Sequence, residues 1–287
     1  MRKPNLFVVG MPRSGTTSLY GYLKQHPEIY TSVLKEPNFF CHEYFDHPSV
    51  VDNIQLYEQI FDQAGDAKYF GEGSVWYLYF RSAAKKLKEY NAQSKSIILL
   101  RHPTEMIISL HSLYLRTGNE SVANLEEALQ LESKRRKNEC LPASCYFPSG
   151  LNYTSIGSYY EKLEFYLDLF PRENIHVVLF DNLISDTKEE LKKIFAFLDV
   201  RQDVTIETDP KNVTRVLRDK VITQLRTAPK EISQKMRYKM GHHHMGNKKG
   251  IVSDAVRDYM DHYFIDDLQK TEKLLGLPSK LLCRKSS

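Results

Sequence analysis

The stretch LFVVGMPRSGTTSL, Leu6–Leu19, decides the fold that this sequence predicts. Leu6 to Val9 is a continuous apolar run, typical of a strand buried on both faces of a parallel sheet. Gly10 follows that strand, and Gly15 precedes a helix that we expect from Thr17 to Gln25. Between the glycines, backbone N–H groups can surround an oxyanion, and the helix dipole adds positive potential. The stretch, called the anion loop below (residues 10–18), therefore predicts a phosphate or sulfate site.

Two further buried strands alternate with helices along the chain. The strand runs are SIILL, Ser96 to Leu100, and IHVVLF, Ile175 to Phe180. Helical patterns cover Thr104 to Leu115, Ser158 to Leu169 and Lys188 to Leu198. This alternation indicates crossover connections and a parallel sheet, with ligands at the carboxyl ends of the strands. We predict an α/β, P-loop-like three-layer fold with a central, mostly parallel sheet flanked by helices, forming a single domain over residues 1–287.

The anion loop differs from an ATP-binding loop in the position of its cation. A nucleotide triphosphatase continues Gly-Lys-Ser/Thr, whereas this loop continues Gly15-Thr16-Thr17 and carries Arg13 instead. The buried strand that would end in a magnesium-holding aspartate is followed here by Arg101. Both differences favour an anion held by protein cations and hydroxyls without a metal. The alternative is a fortuitous turn, which the hydroxyl side chains of Ser14, Thr16, Thr17 and Ser18 make less attractive.

Two motifs carry a resemblance to a known family. GMPRSGTTSL resembles the 5′-phosphosulfate loop of the sulfotransferase superfamily, enzymes that move a sulfuryl group from 3′-phosphoadenosine 5′-phosphosulfate (PAPS) to a hydroxyl or amine. RHPTEMIIS, Arg101 to Ser109, is similar to the 3′-phosphate motif of that family, in which an arginine at a strand end and a later serine grip the phosphate. The segment from Tyr159 to Val200 is similar to the helix, strand and helix that follow.

The resemblance implies a donor site for PAPS that requires no metal. Arg13 would stabilise the leaving phosphate and not act as a base, because a guanidinium does not deprotonate. Tyr159 falls where relatives have a tyrosine near the nucleotide, or it is a core residue. Lys248 and Lys249 would belong to a loop over the 3′-phosphate, or to a solvated charge run. The implied donor-binding residues are Arg13, Ser14, Gly15, Thr16, Thr17, Ser18, Arg101, Ser109, Tyr159, Lys248 and Lys249.

A candidate base lies in VLKEPNFFCHEYF, Val33 to Phe45. This segment resembles the Lys-Glu-Pro-His-Phe-Phe segment of carbohydrate sulfotransferases, in which the glutamate is the base. We predict that Glu36 is the base and that Lys35 helps to hold the sulfate. The alternative is an exposed surface carboxylate beside a lysine. Asn38 replaces a histidine of many relatives, and for His42 a structural or surface role is favoured.

A segment that resembles the acceptor side of the family is FGEGSVWYLY, Phe70 to Tyr79. Gly73 replaces a lysine that some heparan-type enzymes carry, which weakens a heparan sulfate assignment. Trp76 and Tyr77 either stack on a sugar ring or pack in the core.

Three functions are consistent with these motifs. The first is a PAPS-dependent sulfotransferase acting on a hydroxyl of a carbohydrate, a glycolipid or a small metabolite. The second is a P-loop kinase or nucleotide triphosphatase with a degenerate loop, which the missing lysine and aspartate disfavour. The third is a catalytically silent nucleotide-binding module, against which intact Arg13, Glu36, Arg101 and Ser109 argue.

Composition bounds the partners and the compartment. The net charge is only +4, from 40 basic and 36 acidic residues, so a nucleic-acid partner is not expected. No apolar run is long enough for a membrane span and no secretory signal is visible, so we expect a cytoplasmic protein unless the chain is an excised luminal domain. Reduced cysteines are expected, with a Cys140–Cys145 bridge as the luminal alternative. His242 to His244 is interpreted as a solvated loop, and the oligomeric state is not readable.

Overall fold

The computed structural model describes residues 3–209, 228–241 and 250–278. They divide into two compact units. The first lies within Met1–His42, Ser49–Leu100 and Leu169–Tyr238, and the second within Glu43–Pro48, Arg101–Asp168 and Lys239–Ser287. The single domain over residues 1–287 stays a prediction.

The first unit is built on a five-stranded parallel sheet. Its strands are β1 (Leu6–Gly10), β2 (Ile29–Thr31), β3 (Tyr69–Glu72), β4 (Lys95–Leu100) and β5 (Ile175–Leu179). The strand order is β2-β3-β1-β4-β5, and every neighbouring pair is parallel. The predicted α/β fold with a parallel sheet is therefore confirmed, and β1 lies at the centre. Strands β2 and β3 were not predicted.

The α-helices are named in chain order. They are α1 (Thr16–Leu23), α2 (Ile54–Gln59), α3 (Arg81–Tyr90), α4 (Pro103–Thr117), α5 (Leu125–Gln130), α6 (Glu132–Arg135), α7 (Tyr153–Gly157), α8 (Tyr160–Leu169), α9 (Phe180–Ser185), α10 (Thr187–Leu198), α11 (Lys230–Gly241) and α12 (Asp254–Leu275). Short 3-10 helices cover Phe39–Tyr44, Pro148–Leu151 and Arg172–Asn174.

Both faces of the sheet are covered, which explains the unbroken apolar runs. On one face Leu6 and Val8 pack in a core cluster with residues of α1, α9 and α10. On the other face Phe7 lies against Phe40, with their ring centroids 6.3 Å apart. Successive residues of a strand point to opposite faces, so β1 must be apolar at every position.

The second unit is helical. Helix α7 ends close to α12, because a Cβ added at Gly157 would lie 2.5 Å from Cζ of Phe264. Cys140 and Cys145 carry free thiols, so the bridge considered for a luminal domain is not formed. Among the helices of residues 3–209, 228–241 and 250–278, none has the length and apolar content that crossing a membrane requires.

Candidate functional site

The anion loop connects the carboxyl end of β1 to α1. Arg13 and Gly15 both adopt positive φ, 59° and 87° respectively. The Ser14 and Thr16 side chains are buried, whereas Arg13, Thr17 and Ser18 are exposed. The hydroxyl of Ser14 donates to the carbonyl of Pro12 at 3.3 Å, which tightens the turn. The loop therefore exposes the Arg13 side chain to solvent, and the left-handed backbone at Arg13 and Gly15 makes the loop turn tightly.

Glycine is required at position 15 for two independent reasons. Its φ of 87° is rarely adopted by other residues, and a Cβ there would lie 3.0 Å from Cδ2 of Phe180. The same Cβ would lie 3.4 Å from Cδ2 of Leu183. Helix α9, which begins at Phe180, thus supports the loop from behind.

The first turn of α1 is suited to an anion. The amide of Leu19 donates to the carbonyl of Gly15 at 3.0 Å, so the amides of Thr16, Thr17 and Ser18 precede the i to i−4 pattern of the helix. Gly15 provides no side-chain cap, and no acidic residue lies in the first turn. The positive end of the helix dipole is therefore not neutralised from within α1.

Glu36 and Lys35 lie on a strained turn in the same unit. The Lys35 Nζ lies 2.5 Å from the Glu36 Oε1, and their side chains are 18% and 27% exposed. Glu36 and Asn38 both have positive φ, 58° and 53°. Left-handed backbone at residues other than glycine persists only where the surroundings enforce it, and such residues cluster at functional sites. Glu36 is thus a half-buried, lysine-paired carboxylate, which differs from the exposed surface alternative.

One segment connects this turn to the anion loop. The amide of Asn38 donates to the Ser74 hydroxyl at 2.9 Å. The amide of Leu78 donates to the carbonyl of Val9 at 3.0 Å, and a Cβ at Gly10 would lie 3.1 Å from Cβ of Leu78. The segment after β3 therefore contacts both the turn that carries Glu36 and the start of the anion loop.

A buried carboxyl group, Glu72, ends β3 beside this segment. It is fully buried, it accepts a hydrogen bond from the Ser74 hydroxyl at 2.6 Å, and the Tyr57 hydroxyl donates to it at 3.4 Å. Burial raises the pKa of Glu72 to about 7, and hydrogen bonds from Ser74, Tyr77 and Tyr57 lower it, while the negative charge of Glu36 raises it. Sequence reasoning assigned no role to Glu72.

The raised pKa of Glu72 predicts a pH-dependent stability. The folded protein holds a proton between the ordinary pKa of 4.5 and about 7 that the unfolded chain releases, so stability falls as pH rises through this window. Glu72→Gln removes this dependence. The unfolding free energy of Glu72→Gln relative to the natural chain should therefore rise by about 2 to 3 kcal/mol from pH 5 to pH 8.

Urea denaturation of both proteins at the two pH values measures this difference. Other titrating groups are common to both proteins, so their contributions cancel in the comparison. Equal pH slopes in the two proteins would contradict the raised pKa.

The aromatic residues of this segment that could have stacked on a sugar ring are packed inside the protein. Trp76 and Tyr77 are buried, and Trp76 lies edge-on to Tyr79 with the centroids 5.8 Å apart. A Cβ at Gly73 would lie 3.0 Å from two carbons of the Tyr20 ring. The Nδ1 of His42 lies 2.8 Å from the carbonyl of Phe39, which fits the structural role that the sequence favoured.

The second unit holds the predicted 3′-phosphate residues. Arg101 follows β4 directly, and its side chain is 22% exposed with a nitrogen 4.0 Å from the Glu105 carboxylate. Glu105 also bonds Arg257 of α12 at 2.5 Å. Ser109 is half-buried on α4. Arg101 is therefore accessible, and Arg257 pairs with the same carboxylate, that of Glu105.

Tyr159 supports Arg101 through the backbone. Its hydroxyl donates to the Arg101 carbonyl at 2.8 Å, and its amide donates to the Asp267 carboxylate at 2.6 Å. Tyr159 is fully buried, and burial raises its pKa. Its hydroxyl thus positions Arg101. Lys248, Lys249 and the run His242 to His244 lie outside the described residues.

Comparison with known proteins identifies relatives over most of the chain. A family model described as "Sulfotransferase domain" matches residues 3–275. Mouse carbohydrate sulfotransferase 15 is 25% identical over 267 residues, covering 74% of this chain and 47% of that protein. Human heparan sulfate glucosamine 3-O-sulfotransferase 3B1 is 24% identical over 202 residues, covering 70% and 47%. The chain thus matches about half the length of these curated relatives.

A solved structure extends the comparison to the fold. The crystal structure of a sulfotransferase from Alicyclobacillus acidocaldarius has a TM-score of 0.77 and 23% identity, covering 99% of this chain and 100% of that chain. At this identity the likeness concerns the fold alone.

Proposed function

Because the chain belongs to the sulfotransferase domain family, we propose that it transfers a sulfuryl group from PAPS to a hydroxyl group, on a carbohydrate or glycolipid acceptor. One observation carries the proposal. A lysine-paired carboxylate, Glu36, and the anion loop are both held by the segment that follows β3. Transfer of an anionic group to a hydroxyl requires a base and an anion site, and here both contact the same segment of the chain.

In this proposal the residues of the first unit have distinct roles. When bound, PAPS supplies the sulfuryl group and leaves as 3′-phosphoadenosine 5′-phosphate (PAP). Glu36 accepts the proton of the acceptor hydroxyl as its oxygen bonds to sulfur. Arg13 and the first amides of α1 neutralise the charge that builds on the phosphate oxygen as the sulfur–oxygen bond breaks. Lys35 balances the charge of Glu36 and of the sulfuryl oxygens.

The residues of the second unit would recognise the 3′-phosphate. Arg101 offers a fixed fork of donors, which suits a phosphate. Ser109, eight residues later on α4, would add a hydroxyl. Lys248 and Lys249 are proposed for the same phosphate on the family resemblance alone.

Calorimetric titration with PAP in EDTA tests the donor site. We expect PAP to bind without metal, and ADP and ATP to bind much more weakly. Arg101→Ala should weaken PAP by about ten- to hundredfold, because a hydrogen bond to a charged group contributes about 1.5 to 3 kcal/mol. ADP, which lacks a 3′-phosphate, should be unaffected by that substitution.

Arg116→Ala is the matched control, since Arg116 is also an arginine and lies in the last turn of α4, the helix that follows Arg101. It should bind PAP as the natural chain does. Binding of ATP that depends on magnesium would contradict the proposal and support a kinase instead.

The acceptor class needs a separate screen with labelled donor. We propose carbohydrate because the segment Val33 to Phe45 resembles carbohydrate sulfotransferases and the two relatives described above are named for carbohydrate acceptors. The acceptors compared should be a desulfated glycosaminoglycan oligosaccharide, galactosylceramide and a simple phenol. Product from the phenol alone would refute the carbohydrate assignment. A cytoplasmic compartment is part of the proposal, in agreement with the free thiols of Cys140 and Cys145.

A further inference from the structure

Glu72 occupies a position from which it can control the turn that carries Glu36. Its two carboxyl oxygens are both engaged within the protein, one by Ser74 at 2.6 Å and the other by Tyr57 at 3.4 Å, and the Tyr77 hydroxyl donates to the carboxyl as well. It is also fully buried. The geometry therefore indicates a role exerted through neighbouring residues and not by contact with a substrate.

Ser74 transmits the position of Glu72 to the turn. A serine hydroxyl has a single hydrogen, which Ser74 donates to Glu72, so a lone pair remains to accept the amide hydrogen of Asn38. The Glu72 carboxyl accepts the Ser74 hydrogen in either protonation state, and above the Glu72 pKa of about 7 the bond is charge-assisted and therefore stronger. The carboxyl of Glu72 thus fixes the direction of the Ser74 hydroxyl.

The turn depends on such restraints because its backbone is strained. Glu36 and Asn38 both have positive φ. On the other side of the turn, the amide of Val51 donates to the carbonyl of Pro37 at 2.9 Å. The bond from Asn38 to Ser74 is a direct restraint between the turn and the segment that follows β3.

We propose that Glu72, acting through Ser74, is a positioning residue that holds the turn Glu36–Asn38 and thereby aims the Glu36 carboxylate. The consequence for turnover rests on the proposed function, in which Glu36 is the base. The restraint itself does not, so the two can be tested separately.

Hydrogen exchange of the Asn38 amide tests the restraint. In Ser74→Ala and in Glu72→Ala this amide should exchange about tenfold faster or more, because its acceptor is lost or disoriented. Glu132→Gln is the matched control, since Glu132 is also buried with a raised pKa and is bonded by the amide of Thr154 at 2.8 Å. It should leave Asn38 unchanged. Unchanged exchange in Ser74→Ala would overturn the proposal even if Glu72→Ala failed to fold.

Turnover in two backgrounds tests the positioning role. Ser74→Ala should lower kcat about tenfold with PAPS and the best acceptor of the screen, or with water if none is accepted, while PAP affinity stays unchanged. In the Glu36→Gln background the same substitution should have no further effect. An equal loss in both backgrounds would indicate general damage and overturn the positioning role. Full activity of Glu36→Gln alone would instead reject the proposed base, and the exchange measurement would still decide the restraint.

Discussion

Glu36→Gln is expected to lower kcat by about 10²- to 10⁴-fold, the usual contribution of a general base. Glutamine keeps the size of the side chain and a hydrogen-bond acceptor, but it does not take a proton at neutral pH. The affinity for PAP should not change, because the base acts on the acceptor hydroxyl and not on the nucleotide.

The measurement is the steady-state rate of labelled sulfate transfer, with PAP affinity determined by calorimetry on the same samples. Glu126→Gln, an exposed glutamate on α5, is the control for loss of one negative charge. Its rate should equal that of the natural chain. If Glu36→Gln retained full activity, the base would have to be sought elsewhere in the first unit.

Arg13→Ala should lower kcat by about 10²- to 10³-fold, as observed when one preorganised donor to a developing anion is removed. The charge on the departing phosphate is greatest in the transition state, so kcat should fall more than PAP affinity. Arg13→Lys should recover part of the rate, because lysine restores the charge without the planar fork.

Partial recovery of kcat in Arg13→Lys distinguishes loss of a catalytic charge from a change in the conformation of the anion loop. Arg201→Ala, which removes an exposed arginine paired with Glu28 at 3.6 Å, serves as the control. Arg13→Ala with unchanged kcat and weakened PAP would mean that Arg13 only binds the nucleotide.

The sequence predicted β1 and β4, which lie in the interior of the sheet, and β5 at one edge, but neither β2 nor β3. Strands β1, β4 and β5 are rich in apolar residues, and β1 and β4 are buried almost throughout, so their pattern is visible in one sequence. Strand β2 has three residues and β3 has four, and β3 contains a glycine and a glutamate. Such short segments lack a pattern that distinguishes them from loops.

The chemistry-bearing residues divide in the same way. Arg13, Arg101 and Glu36 stand next to glycine, proline or strand ends, so their motifs mark them locally. Glu72 is different, because the role proposed for it rests on its burial and on a bond between Asn38 and Ser74, which are 36 positions apart. A single sequence contains no signal for that contact. The resemblance of the segment Phe70 to Tyr79 indicated the right region, but it did not single out Glu72 within that segment.

The contact between Gly73 and Tyr20 has a consequence for how this chain can be redesigned or can diverge. The Tyr20 ring lies 3.0 Å from where the Cβ of any side chain at position 73 would be. Its hydroxyl lies within 3.2 Å of the carbonyls of Ser32 and Gly71, which holds the ring in place. A lysine at 73 therefore requires the Tyr20 ring to shift by a few tenths of an ångström, so the effects of substitutions at 73 and at 20 should depend on each other. We expect a side chain at 73 to be accommodated more easily after an earlier, permissive change at 20, so the order of the two substitutions matters for how this chain diverges.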